Sequence, residues 1–363
     1  MTALLMTGFP GFLGSALLGR LLSRRDGVRA ICVVQPQHLS EARTRLARIE
    51  ADQPHVAGRV ELVEGDITAA GLGVAPAAQA GLADVTEVWH LAAVYDLSVP
   101  EAVARRVNVG GTERVLEFCR TRERFDRLQY VSTCYVSGRH AGRFSEDDLD
   151  TGQEFRNHYE STKFEAEALV RRAMAEGLPA TVYRPGIVVG DSRTGETQKY
   201  DGPYYLATFL RRQPRWGAVV PAVGDADSVR FCLVPRDFVV DAMDALSVLD
   251  RSVGCTYALT DPHPPTVREL VTTFGRHLGR RIVWLPLPLG PTRALVALPG
   301  VERLLGIPAE SLDYFASPTT YDTAQTSSDL EGTGVRCPSF DSYAGRLLDY
   351  MVEHPEIDAA AMV

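Results

Sequence analysis

Ala3-Leu4-Leu5-Met6-Thr7-Gly8-Phe9-Pro10-Gly11-Phe12-Leu13-Gly14, running on into Ser15 to Leu22, is the stretch that decides the fold. The apolar run before Thr7 is short enough for a buried strand, and the leucines after Gly14 recur at helical spacing. Between them the glycines stand as G-x-x-G-x-x-G, a variant of the G-x-G-x-x-G turn. Strand, Gly-rich turn and helix together form the context in which a dinucleotide pyrophosphate binds a helix amino terminus. Gly8 is expected to make the tight turn, Gly11 to let backbone approach the pyrophosphate, and Gly14 to let helix pack on strand. Phe12 and Leu13 would present the free N–H groups of the first helical turn.

Outward from this unit, short apolar runs alternate with helical patterns, the signature of βαβ units and a parallel sheet. Strands are expected at Arg29–Val34, Val60–Asp66, Glu87–Ala93, Leu128–Ser132 and Ala180–Pro185, with a helix over Ser40–Ala51 that Ser40 caps. A further strand is expected at Thr256–Thr260. The pattern gives an α/β, Rossmann-like doubly wound parallel sheet with a smaller, helix-rich C-terminal substrate lobe. The dinucleotide domain takes 1–190 and 229–261; the lobe takes 191–228 and 262–363. Ligands are expected at the carboxyl ends of the strands.

The 363 residues carry 45% hydrophobic and 23% charged side chains, ordinary for a globular protein with a sizeable core. A net charge of −8 argues against a nucleic-acid surface, and the basic pairs Arg211-Arg212 and Arg280-Arg281 read as solvated faces or ligand contacts. Six scattered cysteines show no metal spacing, so no metal is expected. Without a signal-peptide pattern the chain reads as cytoplasmic, and the prolines and charges within Trp284 to Ile307 are inconsistent with a membrane span. That segment, with Tyr200 to Phe209 and Trp216, offers either an apolar substrate surface or a satellite core.

Tyr159 and Lys163 stand four apart in a helical pattern, which puts both on one face. An ammonium near a phenol favours phenolate, so Tyr159 is expected to serve as general acid in carbonyl reduction with a lowered pKa. The third member should be a hydroxyl at the end of the fifth strand, where Val131-Ser132-Thr133-Cys134-Tyr135-Val136-Ser137-Gly138 supplies several.

With these motifs the chain resembles an extended short-chain dehydrogenase/reductase, and within that superfamily it is similar to the thioester reductase, carboxylic acid reductase and fatty acyl reductase group. The resemblance implies that Thr133 holds the substrate oxygen, with Ser132 the second choice, while Tyr159 and Lys163 contact the nicotinamide ribose. Gly65-Asp66-Ile67 resembles the turn beside the adenine, and His90-Leu91-Ala92-Ala93 the strand end that passes the cofactor. Asn108-Val109-Gly110-Gly111-Thr112 resembles a helix segment whose Asn is architectural. Pro185-Gly186-Ile187, within a string ending Gly190-Asp191-Ser192, would face the carboxamide, and this string differs from that of the sugar epimerases.

The second strand ends Val34-Gln35-Pro36-Gln37-His38, without the acid that NAD binders use, so NADP(H) is expected over NAD(H), with Arg43, Arg45 or His38 for the phosphate. The group's chemistry implies an NADPH-dependent reduction of an apolar acyl thioester, aldehyde or ketone. With no adenylation-sized or carrier region in the chain, a thioester would arrive on coenzyme A or an acyl carrier protein. An epimerase or dehydrogenase of nucleotide sugars or steroids, or a non-catalytic NADP-sensing protein, are the competing classes on this fold. Nothing in the composition requires a homodimer, although helices beside the fourth and fifth strands form one in many members of the superfamily.

Overall fold

The computed structural model describes residues 3–95, 99–222, 225–287, 290 and 309–357. In the first half the elements follow the expected alternation. Strand β1 (Ala3–Thr7) leads to helix α1 (Phe12–Arg24), then β2 (Arg29–Val34), α2 (Leu39–Asp52), β3 (Val60–Glu64) and β4 (Val85–His90). Helix α3 (Gly111–Arg120), β5 (Arg127–Val131), α4 (His158–Ala175) and β6 (Ala180–Pro185) complete that half. Then come α5 (Pro203–Arg212), β7 (Ala218–Ala222), α6 (Arg236–Ser247), β8 (Thr256–Leu259), α7 (Val267–His277), β9 (Ile282–Pro286), α8 (Ala324–Leu330) and α9 (Phe340–Glu353).

Seven strands form one parallel sheet in the order β8-β6-β5-β4-β1-β2-β3. The strand order reverses at β1, with β2 and β3 added on one side of it and β4, β5 and β6 on the other, so the topological switch point lies between β1 and β4, the place where doubly wound sheets bind ligands. Alternate residues of each strand enter opposite cores. Leu4 and Met6 pack with Leu17, Leu21 and Trp89 on one face, whereas Leu5 packs with Val33, Val88 and Leu128 on the other. Buried on both faces, β1 and β2 read as near-continuous apolar runs, whereas the edge strand β3 carries exposed Glu61 and Glu64.

Ser40 does not cap α2, as the sequence had led us to expect. A 3-10 turn over Pro36–His38 brings the chain into helical geometry earlier, His38 takes the N-cap place, and Ser40 lies inside the first turn. Proline fixes its own φ near the helical value, which favours starting a turn there.

The aromatic stretch beginning at Tyr200 resolves into core. Tyr200, Tyr204, Leu206 and Leu210 are buried with Val220, Phe274, Tyr343 and Leu347 in a third cluster, and Trp216 alone stays exposed. Helix α5 turns its apolar side to α7 and α9, so Tyr204 fills the lobe instead of forming an open substrate surface. Most of the segment Trp284 to Ile307 lies outside the described residues. Helix α8 joins the sheet side instead: Leu330 packs in the cluster of Leu4 and Trp89, and Tyr257 OH donates to Asp329 at 2.6 Å.

Candidate active site

Helix α4 begins at Asn157, whose Oδ1 accepts the Glu160 N–H at 3.0 Å, and this cap sets the register of Tyr159 and Lys163 one turn apart. The strand it packs against, β5, ends at Val131, and Thr133 follows in extended backbone. There burial pushes the Tyr159 phenol up to about 12, the nearby Thr133 hydroxyl pulling the other way.

The two candidate hydroxyls of β5 separate cleanly. Ser132 Oγ donates to Glu167 Oε2 at 2.6 Å and is buried, so it is committed to the interior. Thr133 faces the phenol instead. Successive residues in extended chain point to opposite sides, which is why neighbours in sequence have different environments here.

Lys163 has protein partners that the sequence did not indicate. Its Nζ donates to the Val131 carbonyl at 2.8 Å and to Tyr130 OH at 3.1 Å, anchoring α4 to β5. Burial pulls the ammonium down to about 7, against the attraction of Glu167. The expected lowering of the tyrosine pKa is therefore replaced by a rise, because desolvation of the phenol dominates.

Glu167 was not singled out from sequence. It lies one turn beyond Lys163 on α4, fully buried, and holds Arg184 at 2.7 Å, Arg171 at 2.9 Å and Ser132. Burial alone would raise its carboxyl, but the two guanidiniums and the hydroxyl outweigh that and leave it below the ordinary carboxylate range. The stripe Tyr159, Lys163, Glu167, Arg171 at intervals of four was the available signal. Tyr314 was missed too, and no local pattern marks it. Its hydroxyl donates to Glu160 at 2.8 Å and accepts from Asn157 at 2.9 Å, and its ring meets that of Tyr135 edge-on at 4.8 Å. A residue 155 positions after Tyr159 in the chain order thus touches both elements that flank the Thr133–Tyr159 pair.

At the nucleotide end, Gly8 has φ +90 and a Cβ there would stand 2.8 Å from Ala92 N, so only glycine fits between the turn and the end of β4. A Cβ on Gly14 would meet Gly8 O at 2.6 Å, the close helix-to-strand approach expected of it. Gly11 takes the N-cap of α1 with no side-chain cap, which leaves the first-turn N–H groups of Phe12 and Leu13 available to an anion. Arg236 stands over the Phe12 ring at 5.1 Å, adding a cation beside that helix end. These features fit a dinucleotide pyrophosphate.

The other expected contacts surround the same turn. Thr7 Oγ1 pairs with His90 Nδ1 at 2.7 Å and accepts from Ala92 N at 3.2 Å, binding the end of β4, with Leu91 and Ala93, to the glycine turn. Asp66 Oδ1 accepts the Thr68 N–H at 2.8 Å, and the Ile67 side chain is buried against Gly111. Pro185, Gly186 and Ile187 continue from β6, where a Cβ on Gly186 would meet Cys232 O at 2.6 Å. Asn108 is architectural: it bonds both backbone groups of Val94, at 2.8 and 3.0 Å, and Thr162 on α4 at 3.0 Å.

The match of residues 6–243 to the family described as "Male sterility protein" covers most of this sheet and all of α4. The chain belongs to that family. The male sterility family fold and the glycine turn identify an NAD(P)-dependent oxidoreductase of the extended short-chain dehydrogenase/reductase superfamily. Glycine betaine reductase ATRR of Emericella nidulans is 30% identical over 283 residues, 73% of this chain and 21% of that protein. The terminal R domain from the myxalamid PKS-NRPS biosynthetic pathway superposes with a TM-score of 0.84 at 29% identity, covering 99% of this chain and 93% of that one. A thiolation-reductase di-domain from an archaeal non-ribosomal peptide synthetase shares the fold, with a TM-score of 0.77 at 21% identity over 98% of this chain and 76% of that one. This male sterility family chain thus spans about a fifth of the curated relative and nearly the whole of the isolated R domain. Among the described residues no helix is long and apolar enough to cross a membrane.

Proposed function

We propose that this chain is an NADPH-dependent reductase of acyl thioesters, with Tyr159 as general acid. The observation that carries this conclusion is the Thr133–Tyr159 hydroxyl pair beyond the carboxyl end of β5, on the helix that also carries Lys163, with Ser132 engaged by Glu167. Nicotinamide, when bound, supplies a hydride to the carbonyl carbon. As the carbonyl oxygen takes up the displaced electron pair, Thr133 hydrogen-bonds it and Tyr159 donates the proton, giving a hemithioacetal. Loss of the thiol then yields aldehyde. A phenol held up at about 12 keeps its proton at neutral pH, the state a general acid needs. Lys163, fixed by Tyr130 and Val131, would orient the ribose hydroxyls.

The preference for NADPH is supported by the absence of an acid after β2 and by the presence of Arg43 or Arg45, neither of which forms an ion pair among the described residues, with His38 as the other candidate. A 2′-phosphate would supply the missing counter-charge to whichever faces it. The thioester would arrive on coenzyme A or a carrier protein, and the archaeal relative joins a thiolation domain to its reductase in one chain.

The test is a continuous assay of NADPH and NADH oxidation against acyl-CoA thioesters, pantetheine thioesters, aldehydes and ketones. Thioester-dependent consumption of NADPH is expected, one equivalent per aldehyde or two per alcohol. Turnover restricted to aldehydes or ketones would reject the thioester, and silence with tight cofactor binding would favour an epimerase or a sensor. In the same assay Thr133→Val should cost roughly a hundredfold in kcat/KM, the scale of one lost oxyanion donor. Ser132→Ala should instead lower stability by about 1–3 kcal/mol, the scale of a hydrogen bond to a charged group, and leave kcat/KM nearly unchanged. Equal kinetic losses for the two would remove the distinction drawn between them.

A further inference from the structure

The two arginine pairs, 69 residues apart in the chain, meet at one edge of the small lobe. Arg280 Nη2 donates to the Arg211 carbonyl at 2.9 Å, and the Arg281 N–H to the Arg215 carbonyl at 3.1 Å. Beside them β7 and β9 pair in parallel, with Val219 directly opposite Val283. This face is open: Trp216 is 82% exposed, Val219 44% and Val283 47%. At the outer edge of β7, Gln213 bonds both backbone groups of Val219, so the backbone is covered at that position and the side chains are presented.

Arg211, Arg215 and Arg281 are exposed and form no ion pair among the described residues. Cations gathered without counter-charges run against the net charge of −8. An aromatic and aliphatic centre rimmed by arginines is the composition of an interface hot spot, and the positive field steers an acidic partner toward it. A second copy of this chain is disfavoured, since a two-fold contact would set the same arginines against one another.

We propose that this ridge docks an acidic carrier domain that brings the acyl thioester to Thr133 and Tyr159, an assignment that rests on the thioester reductase function proposed above. Helix α5 links the two places. Its start follows Gly202, where a Cβ would lie 3.2 Å from Ile187 Cγ2 just past β6, and its far end carries Arg211 and Arg212. Ten residues at 1.5 Å each put the ridge about 15 Å from that strand end, a separation that suits a long flexible prosthetic arm.

The experiment compares octanoyl groups on an acidic acyl carrier protein and on coenzyme A, using the full chain with NADPH. The variants are the triple charge reversal Arg211→Glu, Arg215→Glu, Arg281→Glu and, separately, Trp216→Ala. Each should lose roughly tenfold or more in kcat/KM for the carrier-bound octanoyl group while the coenzyme A value stays within about twofold. Equal values for the two donors in every variant, or equal losses on both, would overturn the docking surface.

Fluorescence anisotropy of the labelled carrier separates this from the chemistry. If neither thioester is reduced, the reductase function fails, yet carrier binding that the variants lose still supports the ridge. Carrier binding equal in all three proteins, or absent from wild type, overturns it. Sedimentation showing a wild-type dimer that the charge reversal dissociates would reassign the face to self-association and overturn the carrier assignment.

Discussion

Tyr159→Phe should lower kcat/KM for reduction by about 10²- to 10⁴-fold while the NADPH Kd stays within about twofold, because general acid catalysis contributes on that scale. The substitution removes one oxygen from a half-buried side chain. Thr133 keeps its contact with the Tyr135 N–H at 3.3 Å, and Lys163 keeps both anchors on β5. Cofactor binding and folding should therefore survive, and the loss should fall on the chemical step. The pH dependence gives a second readout. Since burial holds the wild-type phenol at about 12, it stays protonated throughout the neutral range. Wild-type kcat/KM for reduction should accordingly show no tyrosine limb below about pH 10, the ordinary phenol value. Unchanged turnover in Tyr159→Phe would sink the assignment of the acid, and a limb near neutrality would contradict the buried protonated phenol.

Glu167→Ala should destabilise the protein by about 3–5 kcal/mol, the scale of a buried charge left without its partner. Arg184 is 1% exposed and Arg171 lies across the same carboxylate, so removing Glu167 strands a guanidinium in the core and frees Ser132. Glu167→Gln should cost less, because the amide oxygen still accepts a hydrogen bond while the charge is gone. Urea unfolding of the three proteins measures the difference. The pH sign is fixed by the lowered carboxyl: its contribution is present above the ordinary value of about 4.3 and is lost as pH falls through the folded value. A midpoint unchanged in Glu167→Ala would show that water replaces the carboxylate and that the cluster contributes little.

Much of this was legible in one dimension because its causes are local. A buried parallel strand writes itself as an apolar run, and β2 and β6 were read to the residue, as Arg29–Val34 and Ala180–Pro185. The glycine turn was legible because a backbone at φ +90 pressed against Ala92 tolerates no side chain. Tyr159 and Lys163 were found because an interval of four is a property of the helix itself. Where a local rule was overridden, as at Ser40, the cause was also local, in the proline that starts its turn four residues earlier.

Other features depend on distance across the fold. Residue type does not separate the hydroxyls of Ser132 and Thr133; the family resemblance put Thr133 first, and the packed face of α4 supplies the physical reason, because Glu167 engages Ser132 in the interior. The direction of the tyrosine pKa depends on how dry the site is, and dryness is a sum over elements far apart in the chain. The same holds for Tyr314, which reaches Glu160 from 154 residues away, and for the arginines at 211 and 281. Sequence alone determined the sheet, the nucleotide turn and the helix of the candidate acid, because hydrophobic periodicity and backbone sterics act between near neighbours. Tertiary structure alone decided which hydroxyl faces the phenol, which charges are neutralised and which stay open to a partner, because burial and electrostatics are set by what packs alongside.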